Sequence, residues 1–373
     1  MRCLYDIDDF SSDKNPLGMD NETASTLDEV NNRLAMVLLP NSIMLLMYIV
    51  FGLIGNTVVI YICKFRCRKP SGDRFFIPYL AGIDAMACVI CSSANLIINF
   101  NPVRYTDDSM CKAFFMLSQF AAGSSALMLT IIAIERFQLV CRPFKPRMTS
   151  TCKRLVVSIT VFSVFSLSIP SLFTTGIVPI TNTRLNVTGY VCASVDVMGS
   201  RLFTFVYNIL VLTVCSGNLI VLCALYVMIG KTIYGRVQYR KRMKNQHSFT
   251  TDGISDTCLG QSSAISNTSS SAVLSRVSNN THAKKMRMAG NRMSMIFLVI
   301  TAVYVLCFVP TLIAMLKSSL DRNDWADKTA AETLGLRTAN TLYIINNIAN
   351  PIIYGFFDQK MRNEMTTCLS KIC

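Results

Sequence analysis

The chain has almost no histidine. Its two, His247 and His282, both lie in a polar stretch and neither in an apolar run. That excludes histidine-dependent metal or serine–histidine catalysis inside the apolar part of the protein, so no enzyme is expected. Charge is also scarce: Asp, Glu, Lys and Arg make up 16% of the 373 residues, against roughly 25% in a soluble domain. No repeat and no inverted internal symmetry is visible, which disfavours solenoids and transporters built from duplicated halves. The apolar centres of the long runs carry one ionisable residue, Asp84, whereas a channel or transporter usually lines its path with several. Residues 1–35 lack the basic-then-apolar start of a signal peptide, so insertion is expected to rely on the first apolar run.

What is present is long apolar sequence. Hydrophobic residues make up 51% and the mean hydropathy is +0.41. Seven runs stand out, at about 36–63, 75–100, 112–135, 152–176, 200–230, 293–317 and 331–355. Each reaches the roughly 20 residues that one helix needs to cross a bilayer. The expected fold is therefore an all-α membrane protein, a seven-helix transmembrane bundle over 36–355. An acidic, aperiodic tail (1–35) precedes it and reads as disordered. So does a Ser/Thr/Asn-rich stretch (235–285) between the fifth and sixth runs. Residues 356–373 read as an amphipathic surface helix and a short tail, with Phe357, Met361 and Met365 at helical spacing.

The net charge of +14 does not point to nucleic acid, because its distribution follows the membrane. The connections 64–74, 137–154, 231–292 and the tail 356–373 hold 24 Lys and Arg; the segments on the other side hold 7. The basic side faces the cytoplasm by the positive-inside rule, which puts the N-terminus outside a plasma-membrane protein and the C-terminus inside. Sequons at Asn21 and Asn186 then fall outside, where glycosylation occurs. Of the 15 cysteines, Cys3, Cys111 and Cys192 lie outside; Cys3 sits in the tail, which leaves Cys111–Cys192 as the natural disulfide. Cys368 and Cys373 in the tail are candidates for acylation. The Ser/Thr-rich third inner loop is a candidate for phosphorylation beside its basic clusters. Those clusters also suit acidic lipid headgroups.

The polar residues inside the runs need partners, since lipid offers none. They are Gly55-Asn56 in the first run, Leu80-Ala81-x-x-Asp84 in the second, Ser125 and Glu135-Arg136 in the third, Cys307-Phe308-x-Pro310 in the sixth, and Asn346-Asn347 with Asn350-Pro351-x-x-Tyr354 in the seventh. Together, and in this order, they resemble the rhodopsin-like (class A) family of G protein-coupled receptors, most closely its invertebrate neuropeptide and orphan receptors. The match covers about residues 36–370.

The resemblance implies roles. Arg136 would be a switch arginine, held by Glu135 at rest and released toward a heterotrimeric G protein. Asp84, Ser125, Asn346, Asn350 and Asn56 would form a buried, sodium-binding polar cluster, the only cofactor implied. Tyr226 and Tyr354 would swing inward, and Tyr304, Phe308 and Pro310 would form the pivot of the sixth helix. Arrestin would be a further partner of the phosphorylated third loop. Departures from the family pattern are Phe137 after the switch arginine, Phe308 for a common Trp, Asn218 for a common Pro, and a fourth run without its Trp. Residues 286–294 also lack an acid to pair with Arg136, so appreciable basal activity is expected.

Ser118 and Gln119 occupy the places near which amine receptors carry an Asp, and Ile344 the place of the retinal lysine. A peptide is the expected ligand, with a lipid or small organic acid as the alternative. Residues 177–199 have a loosely strand-like pattern around Gly189. Asn95, Ser118, Gln119, Arg201, Lys317 and Arg337 are candidate pocket residues. For the three cations, anchoring in headgroups is the competing use.

Overall fold

A computed structural model describes residues 21–66, 74–182, 187–195, 201–251, 294–317 and 329–369. Helix α1 (Asn21–Val37) leads into α2 (Leu39–Tyr61), which ends in a π turn over Ile62–Arg66. Helix α3 (Ile77–Phe100) follows. Helix α4 (Asp108–Cys141) is capped by Asp107, whose carboxylate accepts from the Met110 amide at 2.9 Å. Helix α5 (Ser150–Ser168) is capped by Thr149 and followed by the short α6 (Ser171–Thr174). The chain then makes an antiparallel hairpin, β1 (Thr175–Asn182) with β2 (Val187–Ser194), in a register that sets Ile180 opposite Gly189 and Ile177 opposite Cys192. The long α7 (Arg201–Thr251) and α8 (Ser294–Lys317) complete six crossings.

The seventh crossing is composite. Helix α9 (Ala330–Thr341), capped by Thr329 with Glu332 in a reciprocal capping box, passes through a 3-10 turn at Leu342–Ile344 into α10 (Ile345–Phe357), which contains Pro351. Neither half alone reaches the roughly 20 residues that a crossing needs; end to end they cover Ala330–Phe357. Helix α11 (Gln359–Leu369) turns away from the end of α10.

The helices are packed in the manner of a membrane protein, polar inside and apolar outside. On α2, Asn41, Ser42 and Asn56 are buried, while Leu46, Val50, Phe51, Leu53 and Ile54 are exposed. Helix α2 packs on α3, α3 on α4, and α4 on both α5 and α7; α10 closes the ring against α2 and α3. The α2–α3 contact is close enough to need Gly52. A Cβ there would lie 2.3 Å from Cys88 Sγ.

Two sequence boundaries are corrected. The tail expected to be disordered over 1–35 is helical from Asn21. Asn31 explains why: its amide donates to Phe100 O at 3.1 Å, its carbonyl oxygen lies 3.4 Å from the Val103 amide, and Asp28 pairs with Arg104. These partners are distant in sequence, so local composition does not announce them. Likewise α7 runs on to Thr251, well into the stretch 235–285 expected to be disordered; residues 252–285 lie outside the described residues. Residues 1–20 and 370–373 also lie outside them.

The Asn at position 218 settles the course of α7. It supplies the backbone N–H that a proline would lack, so the helix continues. Its side chain crosses to α4, accepting from Thr130 Oγ1 at 2.7 Å and donating to Ala126 O at 3.4 Å.

Candidate functional site

Cys111 and Cys192 are joined by a disulfide that fixes β2 to the first turn of α4. The end of the bundle that holds it is called the disulfide end below; the opposite end holds Arg136. The bond spans 81 residues of sequence. Chain-entropy reasoning makes such a closure worth about 4.5 kcal/mol. Cys111→Ser or Cys192→Ser is expected to reduce surface density sharply in intact cells, counted by antibody against an N-terminal tag. Unchanged density would show that the hairpin holds without the bond.

Midway along the bundle, Asp84 on α3 is fully buried. Asn350 Nδ2 donates to its Oδ2 at 2.6 Å, and Ser125 Oγ donates to its Oδ1 at 2.6 Å. Ser125 Oγ also lies 3.0 Å from Asn347 Oδ1. The hydroxyl has one proton for two acceptors, while Asn347 Nδ2 is buried without a partner; with its amide turned over, Asn347 donates to Ser125 Oγ, which donates to Asp84. Asn56, also fully buried, donates to Gly52 O at 2.9 Å and Asn347 O at 3.0 Å, which ties α2 to α10. The side-chain oxygens of Asn56, Asn346 and Asn350 have no hydrogen-bond partner. The sequence reading is extended here: Asn347, which it left out of the cluster, reaches Ser125, while Asn346, which it included, is buried with its side-chain oxygen unpartnered. The two are adjacent, and the 3-10 turn just before α10 rotates the helix faces in a way that spacing alone does not reveal.

At the other end, Arg136 is 1% exposed. Its guanidinium lies 3.4 Å from Glu135 Oε2 and stacks on the Phe297 ring, 5.4 Å from the centroid. Phe297 in turn meets the Tyr354 ring edge to face, with centroids 6.1 Å apart. The acid missing from the start of α8 is thus replaced by an aromatic face, a contact worth roughly 0.5–2 kcal/mol. Glu135 has a second cationic partner. Lys153 Nζ on α5 contacts Glu135 Oε1, is itself buried, and lies over the rings of Phe75 and Phe76 at 5.5 and 5.6 Å. Counting charges along the sequence placed Lys153 among the solvated basic residues, and nothing local marks it as buried. Tyr226 belongs to the same packed layer as Phe297, Tyr304 and Tyr354.

Tyr304 of that layer stacks on Phe308 at 5.1 Å with planes 19° apart, and Phe308 lies two residues before Pro310. Thr311 Oγ1 lies 3.2 Å from Cys307 O and donates to Ala339 O at 2.8 Å, so the proline kink of α8 is tied to α9. Near the start of α11, Asp358 is within 2.8 Å of the Arg74 guanidinium through either carboxylate oxygen, with Oδ1 the hydrogen-bond acceptor. This pair, which the sequence reading missed, fastens the end of α10 to the segment before α3.

The remaining candidates are spread over the disulfide end. Asn95 donates to Cys91 O at 2.8 Å on its own helix, and Ser118 O accepts from Cys91 Sγ at 3.7 Å. Gln119 Oε1 accepts from the hydroxyl of Tyr207 at 3.1 Å, a contact the sequence did not single out. Lys317 is exposed at the end of α8, and Arg337 is partly buried on α9. The side chains of Asn21, Arg201 and Cys368, and the whole of Asn186 and Cys373, lie outside the described residues.

The sequence profile described as "7 transmembrane receptor (rhodopsin family)" matches residues 55–354. The chain is also similar to the cholecystokinin receptor type A of Homo sapiens, 27% identical over 93% of this chain and 84% of the relative. The type A receptor of Oryctolagus cuniculus is 29% identical over 64% of this chain and 56% of the relative. The cholecystokinin receptor of Xenopus laevis is 24% identical over 83% and 72%.

Proposed function

Because this chain belongs to the rhodopsin family of seven-transmembrane receptors, a multi-pass membrane protein and not an enzyme, we propose that it binds an extracellular peptide and activates a heterotrimeric G protein. The observation that carries the reading is Arg136, buried between Glu135 and Phe297, with Tyr354 behind the ring. A guanidinium so enclosed is withheld from any partner at that end. Releasing it requires α8 to move away from α4, which would open a cavity at the same end. A two-state helix bundle of this kind lets one ligand bias the equilibrium seen at the far side.

A peptide ligand is supported by the name of the relatives and by the β1–β2 hairpin bonded to α4, a second outer loop of the kind expected for a peptide ligand. In this reading the disulfide end is extracellular and the Arg136 end cytoplasmic, as the distribution of Lys and Arg requires. Arrestin would engage the Ser/Thr-rich third loop once phosphorylated, and Cys368 and Cys373 would take acyl chains at the inner leaflet.

We also propose that sodium binds beside Asp84. The buried Asp84 carboxylate and the unsatisfied oxygens of Asn56, Asn346 and Asn350 fit a hard cation. Asp84, Ser125, Asn346, Asn347 and Asn350 would hold it. Bound only in the closed packing, a cation favours that packing. Asp84→Asn is therefore expected to abolish any sodium dependence of basal signalling, measured as nucleotide exchange in membranes with sodium replaced by a bulky organic cation. Persistence of that dependence in the variant would place the ion elsewhere.

A pooled peptide library, applied to cells that co-express a promiscuous G protein, tests the ligand class. Responses that require the receptor are expected from peptide pools. Silence to peptides combined with responses to lipids or small organic acids would replace this reading with the alternative one.

A further inference from the structure

We infer that Arg337 is the receiving group for an acidic function on the ligand, a carboxylate or its equivalent, held in the extracellular half of the bundle. The inference deepens the peptide-receptor reading and rests on it. Arg337 lies on α9 one turn from Thr341, so the two share one helix face, and the chain passes from Thr341 through the 3-10 turn to Ile344. Thr341 is 1% exposed and Ile344 0%. Thr341 accepts from Asn41 Nδ2 at 3.0 Å, and Ile344 packs with Leu45, Tyr48, Cys91 and Ala121. The face that carries Arg337 is therefore turned to the interior of the bundle, toward α2 and α3. This argues against headgroup anchoring, the use that suits the exposed Lys317.

Among the described residues, no carboxylate serves this cation. Among the described side chains at this end, Asp28 pairs with Arg104, Glu29 with Arg33, and Asp108 with Lys112 and the Ile177 amide. Asp107 caps α4, and Glu332 completes the capping box of α9. Arg337 makes no ion pair with any of these described carboxylates. A cation turned inward at membrane depth needs a counter-charge, and intramembrane ionisable groups usually mark a binding path. A guanidinium fork suits a carboxylate because it can make two parallel hydrogen bonds. The same region has further unspent capacity. Ser92 on α3 is fully buried and its hydroxyl has no partner, and Asn340 Oδ1, three residues along from Arg337, is likewise buried and unsatisfied. On α3, Asn95 lies one turn outside Cys91, on the extracellular side of the apolar layer that Ile344 joins.

The test uses three probe sets on cells with matched surface density. One is a pool of short peptides rich in Asp and Glu with free C-termini. The second is the same pool with Asn and Gln in their places and amidated C-termini. The third is a panel of aliphatic mono- and dicarboxylic acids. Responses are expected from the acidic pool alone, with Arg337→Gln shifting its potency roughly thirtyfold or more and Arg337→Lys less. Equal responses to the amidated pool, or unchanged potency in Arg337→Gln, would overturn the anion site and leave the peptide reading standing. Responses to the carboxylic acids alone, lost in Arg337→Gln, would keep the anion site and overturn the peptide reading. Silence from all three overturns the anion site. Without any probe, purified Arg337→Gln receptor is expected to melt no lower than the parent. A clear drop would show that Arg337 has a structural partner, and would equally overturn the assignment.

Discussion

Arg136→Ala is expected to lower G-protein activation to the level of cells without the receptor, while ligand affinity changes little. The guanidinium lies at the end of the bundle away from the disulfide, enclosed by Glu135 and Phe297. In the open packing it would be the one strong, forked donor presented to the partner, and alanine leaves nothing there to replace it. Ligand binding should survive, because Arg136 lies at the opposite end of the bundle from the disulfide. Nucleotide exchange on purified G protein, alongside saturation binding of the first active peptide pool, checks both halves. Normal exchange in the variant would remove Arg136 from the mechanism. Loss of exchange and binding together would indicate a misfolded receptor.

Glu135→Gln is expected to raise ligand-independent signalling about tenfold, the change that roughly 1.4 kcal/mol of bias produces. Removing one member of a buried ion cluster commonly costs 3–5 kcal/mol. Part of that cost falls on both packings alike, because Lys153 stays buried in each, and only the share that holds Arg136 biases the equilibrium. Lys153→Met should act in the opposite sense. It removes the cation that occupies Glu135 Oε1, leaves the whole carboxylate to Arg136, and should lower basal signalling. Phe297→Ala should raise it, by up to the worth of the lost cation–π contact. A bioluminescence readout of second messenger, normalised to surface receptor, separates the three. Lys153→Met that raises basal output as Glu135→Gln does would show that Lys153 stabilises the closed state instead of competing with Arg136.

Much of the architecture was legible because each crossing is written as a long apolar run, and because polar residues that recur inside such runs must find one another. Asp84, Ser125, Asn346, Asn350 and Asn56 were brought together by the resemblance to the receptor family; the structure bonds Ser125 and Asn350 to Asp84 and ties Asn56 to the Gly52 and Asn347 carbonyls. The choice between Asn346 and Asn347 was not legible, since it depends on a 3-10 turn that rotates the seventh helix before α10. Lys153 and Phe297 were missed for a related reason. A lysine at a helix start and a phenylalanine in an apolar run are both ordinary, and only the packing of α5 and α8 against α4 gives them a role. The helix over Asn21–Val37 depends on Asn31 and Asp28 finding partners about seventy residues away, which no local pattern announces. The hairpin was foreshadowed by alternation around Gly189, where a Cβ would press to 2.7 Å from Val103 O.

The central claim is that α8 and α4 hold Arg136 closed and separate when the G protein engages. Spin labels on Met295→Cys, exposed near the start of α8, and on the exposed native Cys152 at the start of α5, report that separation by pulsed dipolar spectroscopy. Singly labelled controls identify signal from other cysteines. The receptor alone should show mainly one short distance, Glu135→Gln a growing second population several ångströms longer, and nucleotide-free G protein mainly the longer one. A single distance distribution, unmoved by the variant and by bound G protein, would contradict the account.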